Sequence, residues 1–187
     1  MKILHIIAVM PPESGIAAVV TRLALEQQRL GHEVAVASTV AKSNIEYSTG
    51  ERGVRVVTFR RSWPHFLYFS WGMLLGFGKE IKDADVVHVH SSWTFPVWWG
   101  AWLALQHNKT LVMSPHGSSS PLQLKHSAWK KRLVGWLDKW LLQRASVIHA
   151  MCEAEKHWIQ AFVQGEREKL DAHKACTKIV VIPNGVC

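Results

Sequence analysis

Short, unbroken apolar runs alternate with longer segments of helical period along the chain, and nothing else in the sequence limits the fold as tightly. Lys2–Val9, Val34–Ser38, Val54–Phe59, Val86–His90, Thr110–Ser114, Val147–Ala150 and Lys178–Ile182 read as strands. The continuous apolar character of Lys2–Val9 is that of a parallel strand buried on both faces. Ile16, Val19, Val20, Leu23, Gln27 and Leu30 recur at helical spacing and stop at Gly31. Phe66–Ile81, Val97–His107, Ser127–Arg144 and Glu153–Val163 read as further helices, with Met10–Gly15 and Thr39–Gly53 as loops. Strands and helices in such regular alternation predict an α/β sheet with right-handed crossovers.

With 187 residues, 48% of them apolar, the chain is one domain or slightly more and can bury a substantial core. Its net charge of +8 points to an anionic partner: a phosphorylated ligand, a membrane surface or nucleic acid. Cys152, Cys176 and Cys187 are odd in number and lack paired spacing. That argues for a reducing compartment and against a disulfide or zinc framework. The amino-terminal apolar run stops at Pro11-Pro12 and reads as a buried strand rather than a signal peptide. The longest apolar runs, near Phe66–Gly78 and Phe95–Leu105, fall short of the roughly 20 residues of a spanning helix. A soluble or peripheral protein is expected.

In an open parallel sheet, ligands gather beyond the carboxyl ends of the strands, so the strand-end loops hold the candidate sites. After Thr110–Ser114 come Pro115, His116, Gly117, Ser118, Ser119 and Ser120, which present one imidazole among hydroxyls. His116 is either an ordinary loop histidine or part of a site. Ser14-Gly15 opens the first helix, where free backbone N–H groups and the helix dipole favour an anion. The plainer reading is a βα turn with Ser14 as helix cap. Neither the G-x-G-x-x-G fingerprint nor a Walker loop is present. His88 and His90 share one face of a strand, and a zinc site would need a third and preferably a fourth ligand, one of which His116 could supply. With no acidic residue beside them, no metal is expected. His90-Ser91-Ser92-Trp93 instead forms another crevice loop, with His88 packed deeper. Trp129, Trp136 and Trp140 fall near one face of Ser127–Arg144, with Lys130, Lys131, Arg132, Lys139 and Arg144 around them. Such a helix suits an anionic membrane surface, unless its tryptophans pack on the sheet.

Several motifs, in order, span most of the chain. They are Met1-Lys2-Ile3-Leu4-His5-Ile6-Ile7, Pro12-Glu13-Ser14-Gly15-Ile16, Leu30-Gly31-His32-Glu33-Val34, Asp85-Val86-Val87-His88-Val89-His90, Ser114-Pro115-His116-Gly117 and Ile182-Pro183-Asn184-Gly185-Val186. Together they resemble the amino-terminal domain of a family-4 type glycosyltransferase of the GT-B fold. The resemblance implies a Rossmann-like, doubly wound, mainly parallel sheet over residues 1–187, with the carboxy-terminal donor domain absent from this chain. Gly15 then matches the loop glycine whose backbone approaches the donor diphosphate, although the family usually has two adjacent glycines where this chain has Gly15-Ile16. His116 matches the histidine beside the donor sugar, with a hydrogen-bonding and charge-stabilising role. Cys152-Glu153 stands where Ser-Glu is usual, a structural position. Ser91, Trp93, Ser119, Ser120 and Lys125 are acceptor-side candidates by position.

The implied activity is the acceptor-binding half of a retaining glycosyltransferase that moves a sugar from a nucleotide-sugar donor to a polysaccharide or glycolipid precursor. It needs no metal or other cofactor and no nucleic acid, and acts in the cytoplasm, at the inner face of the cell membrane. The alternative is a non-catalytic module that binds a phosphorylated sugar or lipid. The family's Glu-x7-Glu pair belongs to the second domain and has no counterpart here, so this chain alone is expected to fold but to transfer no sugar.

Overall fold

The structure, a computed structural model, describes residues 1–11, 14–41, 46–49, 53–125, 128–164 and 178–183; the side chains of 46–49, 128–133 and 164 lie outside that description. Eight strands form one sheet: β1 (Lys2–Ile6), β2 (Glu33–Val40), β3 (Glu46–Thr49), β4 (Arg55–Arg60), β5 (Val86–His90), β6 (Thr110–Ser114), β7 (Val147–Ala150) and β8 (Lys178–Val181). Their order is β3-β4-β2-β1-β5-β6-β7-β8, parallel at every described pairing except the antiparallel edge pair β3–β4. The helices are α1 (Gly15–Arg29), α2 (Trp71–Asp83), α3 (Phe95–Gln106), α4 (Pro121–Lys125), α5 (Ala128–Leu142) and α6 (Glu153–Gln164). The sheet grows outwards from β1 through β2 and β4, then returns to β5 on the other side of β1. The strand order therefore reverses between β1 and β5, which makes their carboxyl ends the topological switch point.

Side-chain alternation gives the sheet two buried faces. Leu4, Ile6, Ala37, Val57, Phe59, Val89, Leu111, Met113 and Ile148 meet Met73, Phe77 and Ile81 of α2, Val97 and Ala101 of α3, Leu141 and Leu142 of α5, and Ile159 of α6. On the opposite face Val34 and Val36 pack under Ala17, Val20 and Ala24 of α1. Each fully buried Leu, Ile or Phe contributes about 1.5–3 kcal/mol relative to exposure, so the larger cluster carries most of the stability.

Besides shifts of one or two residues at element ends, as in β2, α3 and β8, the elements differ from the sequence-based expectation in four places. β1 ends at Ile6 rather than Val9; Ile7 and Ala8 stay buried and are tied to β2 through Ile7 N–H to Ala37 O (3.0 Å) and Thr39 Oγ1 to Ala8 O (2.6 Å). Phe66–Ile81 is not one helix. A 3-10 turn at His65–Leu67 ends on Tyr68 in left-handed backbone (φ 56°), and α2 starts only after Ser70, whose hydroxyl accepts from Met73 N–H (3.2 Å). Within the expected loop Thr39–Gly53 lies β3, an edge strand of sequence Glu-Tyr-Ser-Thr with no apolar alternation to announce it. Short α4 follows Ser120 and has no counterpart among the sequence-based elements.

Gly100 marks the tightest helix-to-sheet approach: a Cβ there would lie 2.3 Å from Ile6 Cδ1 and 3.4 Å from Phe77 Cε1. On α2, Gly78 has open space around the same position. Gly78→Ala is expected to stabilise by roughly 0.5–1 kcal/mol through helix propensity, and Gly100→Leu to destabilise by about 1–3 kcal/mol or more through overpacking. Urea unfolding of the two variants checks this; equal effects would mean that α3 stands farther from β1.

Candidate functional site

Three loops leave the carboxyl ends of β1, β5 and β6 side by side. The loop after β1 reaches α1 at Ser14, whose hydroxyl accepts from Ala17 N–H (3.3 Å) in a helix cap. Gly15 is the first helical residue and is exposed, and a Cβ added to it would meet nothing within 4 Å. The first turn of α1 carries no acidic side chain, so its free N–H groups remain open to an anion. Pro12 and Glu13 lie outside the described residues, as do Asn184, Gly185 and Val186.

The other two loops are bent into conformations that side chains resist. Ser91 (φ 74°), Trp93 (φ 64°) and His116 (φ 51°) all occupy the left-handed region, followed by Gly117 at φ 77°. Each such non-glycine residue costs about 1–2 kcal/mol and persists only when its surroundings hold it. Here they do. Ser91 N–H donates to Ser114 O (2.8 Å). Trp93 gives its backbone N–H to Asp138 Oδ1 (3.4 Å) and its indole N–H to Ser118 O (3.3 Å), with its ring against Phe162. Gly117 N–H donates to Glu155 Oε1 (2.6 Å), and Met151 N–H to Glu155 Oε2 (2.7 Å), so one buried carboxylate clamps the loops after β6 and β7 together.

Below His116 runs a chain of imidazoles. In the parallel register His5 stands beside His88, and His90 beside Ser114, all on the α1 face. Gln27 Oε1 of α1 lies 2.7 Å from His5 Nε2, His5 Nδ1 2.9 Å from His90 Nε2, and His90 Nδ1 3.0 Å from His116 Nε2. An amide oxygen only accepts, so the chain has a direction: each ring donates from Nε2 towards Gln27. His116 is left with Nδ1 as its bare nitrogen, 3.4 Å from Met151 Sδ. A second chain runs from His88 Nε2 to Ser114 Oγ (2.7 Å), on to His149 Nδ1 (2.9 Å), and from His149 Nε2 to Ile182 O (2.8 Å).

Burial keeps His5, His88, His90 and His116 neutral. It pushes His5 down to about 4, against the smaller raising effect of its bond to Gln27. It takes His116 to about 4 as well, helped by the neighbouring His149. His88 and His90 are held well below the ordinary imidazole range, first by burial and then by neighbouring histidines. His5, His88 and His90 bring one ring nitrogen each to within 4.8 Å of one another, so the trio that could hold a metal includes His5 and not His116. It contains no carboxylate, and a dication would have to displace the His5–His90 hydrogen bond in a fully buried place.

The remaining sequence candidates scatter. Ser120 caps α4 through Gln123 N–H (3.3 Å), Ser119 is buried, and Lys125 is exposed at the end of α4. On α5, the inward face is Asp138, Leu141 and Leu142, with Leu137 and Trp140 packed against the same core; Trp140 is half-buried and also lies under the Arg144 guanidinium, and Trp136 is 66% exposed. The side chains of Trp129, Lys130, Lys131 and Arg132 lie outside the described residues. Several residues of the site are not among the sequence candidates: His5, Gln27, His149 and Met151 of the ring chains, and the two carboxylates Glu155 and Asp138. Glu155 had a signal, since Cys152-x-x-Glu155 is a capping box with a thiol in place of the hydroxyl. Asp138, fully buried and accepting from Trp98 Nε1 (2.7 Å), sits in a basic helix where nothing singled it out. At the opposite, amino end of the sheet a cleft is lined by Lys2, Glu33, Arg55 and Glu80, whose charges already pair (Arg55 to Glu80, 2.8 Å).

A doubly wound, mainly parallel sheet with its clamped loops gathered at the switch point defines a Rossmann-like α/β domain of the kind found in GT-B glycosyltransferases. Residues 14–185 match the glycosyl transferase 4-like domain, and the chain belongs to that family. Among solved structures it is similar to sucrose-phosphate synthase from Thermosynechococcus elongatus, at 14% identity and a TM-score of 0.63, over 97% of this chain and 47% of that one. It is also similar to the E. coli trehalose-6-phosphate structure bound with UDP-2-fluoro glucose, at 12% identity and a TM-score of 0.57, over 100% of this chain and 49% of that one. A UDP-forming α,α-trehalose-phosphate synthase from Burkholderia vietnamiensis aligns at 14% identity and a TM-score of 0.54, over 100% and 48%. The chain thus spans about half the length of these structures. No curated protein matches it by sequence.

The buried imidazoles make stability depend on pH. The unfolded chain titrates them near 6.5, whereas the folded chain titrates His5 and His116 only at about 4 and holds His88 and His90 well below the ordinary imidazole range, so between these values the unfolded state binds more protons. Stability is complete above pH 6.5 and is lost as pH falls through the window. For His5 alone the loss approaches roughly 3 kcal/mol at its lower end. Urea midpoints measured from neutral pH down to the carboxylate range should fall steadily, and a flat profile would contradict neutral burial.

Proposed function

We propose that the chain is the acceptor-side half of a retaining, nucleotide-sugar-dependent glycosyltransferase acting on a polysaccharide or glycolipid precursor at the cytoplasmic face of the membrane. The observation that carries this reading is the meeting of the open amino end of α1 with the clamped His116 loop at one switch point. The Gly15 N–H and the Ser14 hydroxyl would take part of a donor diphosphate's charge without a metal, as a helix terminus does for phosphate, while the Ser14 N–H is held by Pro11 O (3.0 Å). The resemblance to a structure bound with UDP-2-fluoro glucose supports a donor of that class.

His116 would work as a neutral ring. Its Nε2 is committed to His90, and its bare Nδ1 is an acceptor, suited to a sugar hydroxyl beside the reacting centre. Its contribution is then a preorganised hydrogen bond in a water-poor cleft rather than nucleophilic attack. Ser91, Ser119, Ser120 and Lys125 stand on the acceptor side, while Trp93, bound at both nitrogens, shapes the wall between them.

In a protein that carries both walls of the cleft, His116→Ala is expected to lower turnover by roughly 10²–10³, with chelator leaving the parent rate unchanged. Circular dichroism of the variant should match the parent, with melting lowered modestly because the buried His90 Nδ1 loses its donor. Turnover within about threefold of the parent at saturating donor and acceptor would remove His116 from the mechanism. Tight binding of a sugar phosphate without any transfer would instead favour the non-catalytic module.

A further inference from the structure

Between β4 and α2 the surface turns apolar. Trp63 is 80% exposed and Phe66 62%. The loop that carries them is pinned at its ends: Ser62 N–H donates to Phe69 O (2.7 Å), Leu67 N–H to Pro64 O (3.2 Å) and Tyr68 N–H to His65 O (3.0 Å). The Arg61 guanidinium lies 5.4 Å from the centre of the Tyr68 ring. The two rings are held outwards by this frame.

Helix α2 continues the surface. Trp71 and Leu75, one turn apart on one face, are 58% and 83% exposed, while Met73, Phe77 and Ile81 already fill the inner face. The same outer stripe continues into exposed Lys79 and Lys82, and Arg60 is exposed at the start of the loop. Beneath Trp71, ring contacts run through Phe69, Phe95 and Trp99 to Trp102, with centroids 4.7–6.2 Å apart at each step. The apolar tip thus rests on a stiff aromatic base. No helix among the described residues is long and apolar enough to cross a membrane.

We propose that this surface, with Trp63, Phe66, Trp71 and Leu75 at its tip and Arg60, Lys79 and Lys82 behind, seats the protein on an anionic lipid bilayer. Tryptophan suits the boundary between headgroup and acyl chain, and cations set behind an apolar edge meet anionic headgroups. Charge argues against a second copy as the occupant. A two-fold contact would bring Arg60, Lys79 and Lys82 against their own kind in a chain of net charge +8. The surface differs from the basic stretch of α5; the inference supplies the membrane contact that the proposed function calls for and rests on that reading for its purpose, while its test, with no enzymatic readout, fails or succeeds independently of sugar transfer.

The test is co-sedimentation of this chain with vesicles of phosphatidylcholine, alone or doped with phosphatidylglycerol, at low and high salt. The parent should bind the doped vesicles at low salt and be largely released at high salt. Lys79→Gln and Lys82→Gln should each weaken binding roughly fivefold. Trp63→Ser with Phe66→Ser should weaken it on the order of tenfold or more while melting like the parent, since both side chains are exposed. A parent that fails to sediment, or a loop variant that binds as the parent does, would overturn the proposal. So would loss of binding confined to Lys130→Gln, Lys131→Gln and Arg132→Gln, or a parent that is dimeric in sedimentation velocity where the loop variant is monomeric.

Discussion

A row of imidazoles buried across adjacent parallel strands is the constraint on which the rest of the cleft depends. Desolvation forbids His5, His88 and His90 their charge, and a neutral ring must then find a donor on one nitrogen or an acceptor on the other. The strand register supplies the partners, by setting His5 beside His88 and His90 beside Ser114. A slip of one residue in β5 would turn both of its histidines to the apolar face. Helix α1 closes the chain with Gln27, so the element that presents the candidate anion site also sets the polarity of the ring chain that ends on His116.

The loops show what such a frame makes possible. Left-handed backbone at Ser91, Trp93 and His116 is unfavourable locally, and it is held by contacts that reach across the chain: Ser91 to β6, Trp93 to α5, Gly117 to α6. Glu155 and Asp138 each commit a buried carboxylate to backbone N–H groups, and through them the loops after β5, β6 and β7 act as one rigid rim. That rigidity is what electrostatic assistance to sugar transfer would require, since donors and acceptors must stand ready before the charge develops.

Much of this was legible in the sequence because burial on both faces of a parallel strand leaves a continuous apolar run. Val86–His90 and Thr110–Ser114 carry that mark and occupy the predicted residues. What the sequence hid was of two kinds. β3 pairs on one edge only, with a polar sequence, so no periodicity revealed it. The break before α2 came from Ser70, a cap inside an apolar stretch that the hydrophobic pattern ran straight through. In the site, the loop positions of His116, Ser14 and Gly15 followed from strand ends. The bond from His5 to His90 did not, because their sequence separation of 85 residues is bridged only by the sheet register.

The most direct test of the account is the protonation state of each ring, read by nitrogen-15 NMR of the histidine-labelled chain near neutral pH. Neutral His5, His90 and His116, each carrying its proton on Nε2, are the predicted result. A charged ring among them, or His116 protonated on Nδ1, would contradict the directed chain from the switch point to Gln27, and with it the acceptor role given to His116.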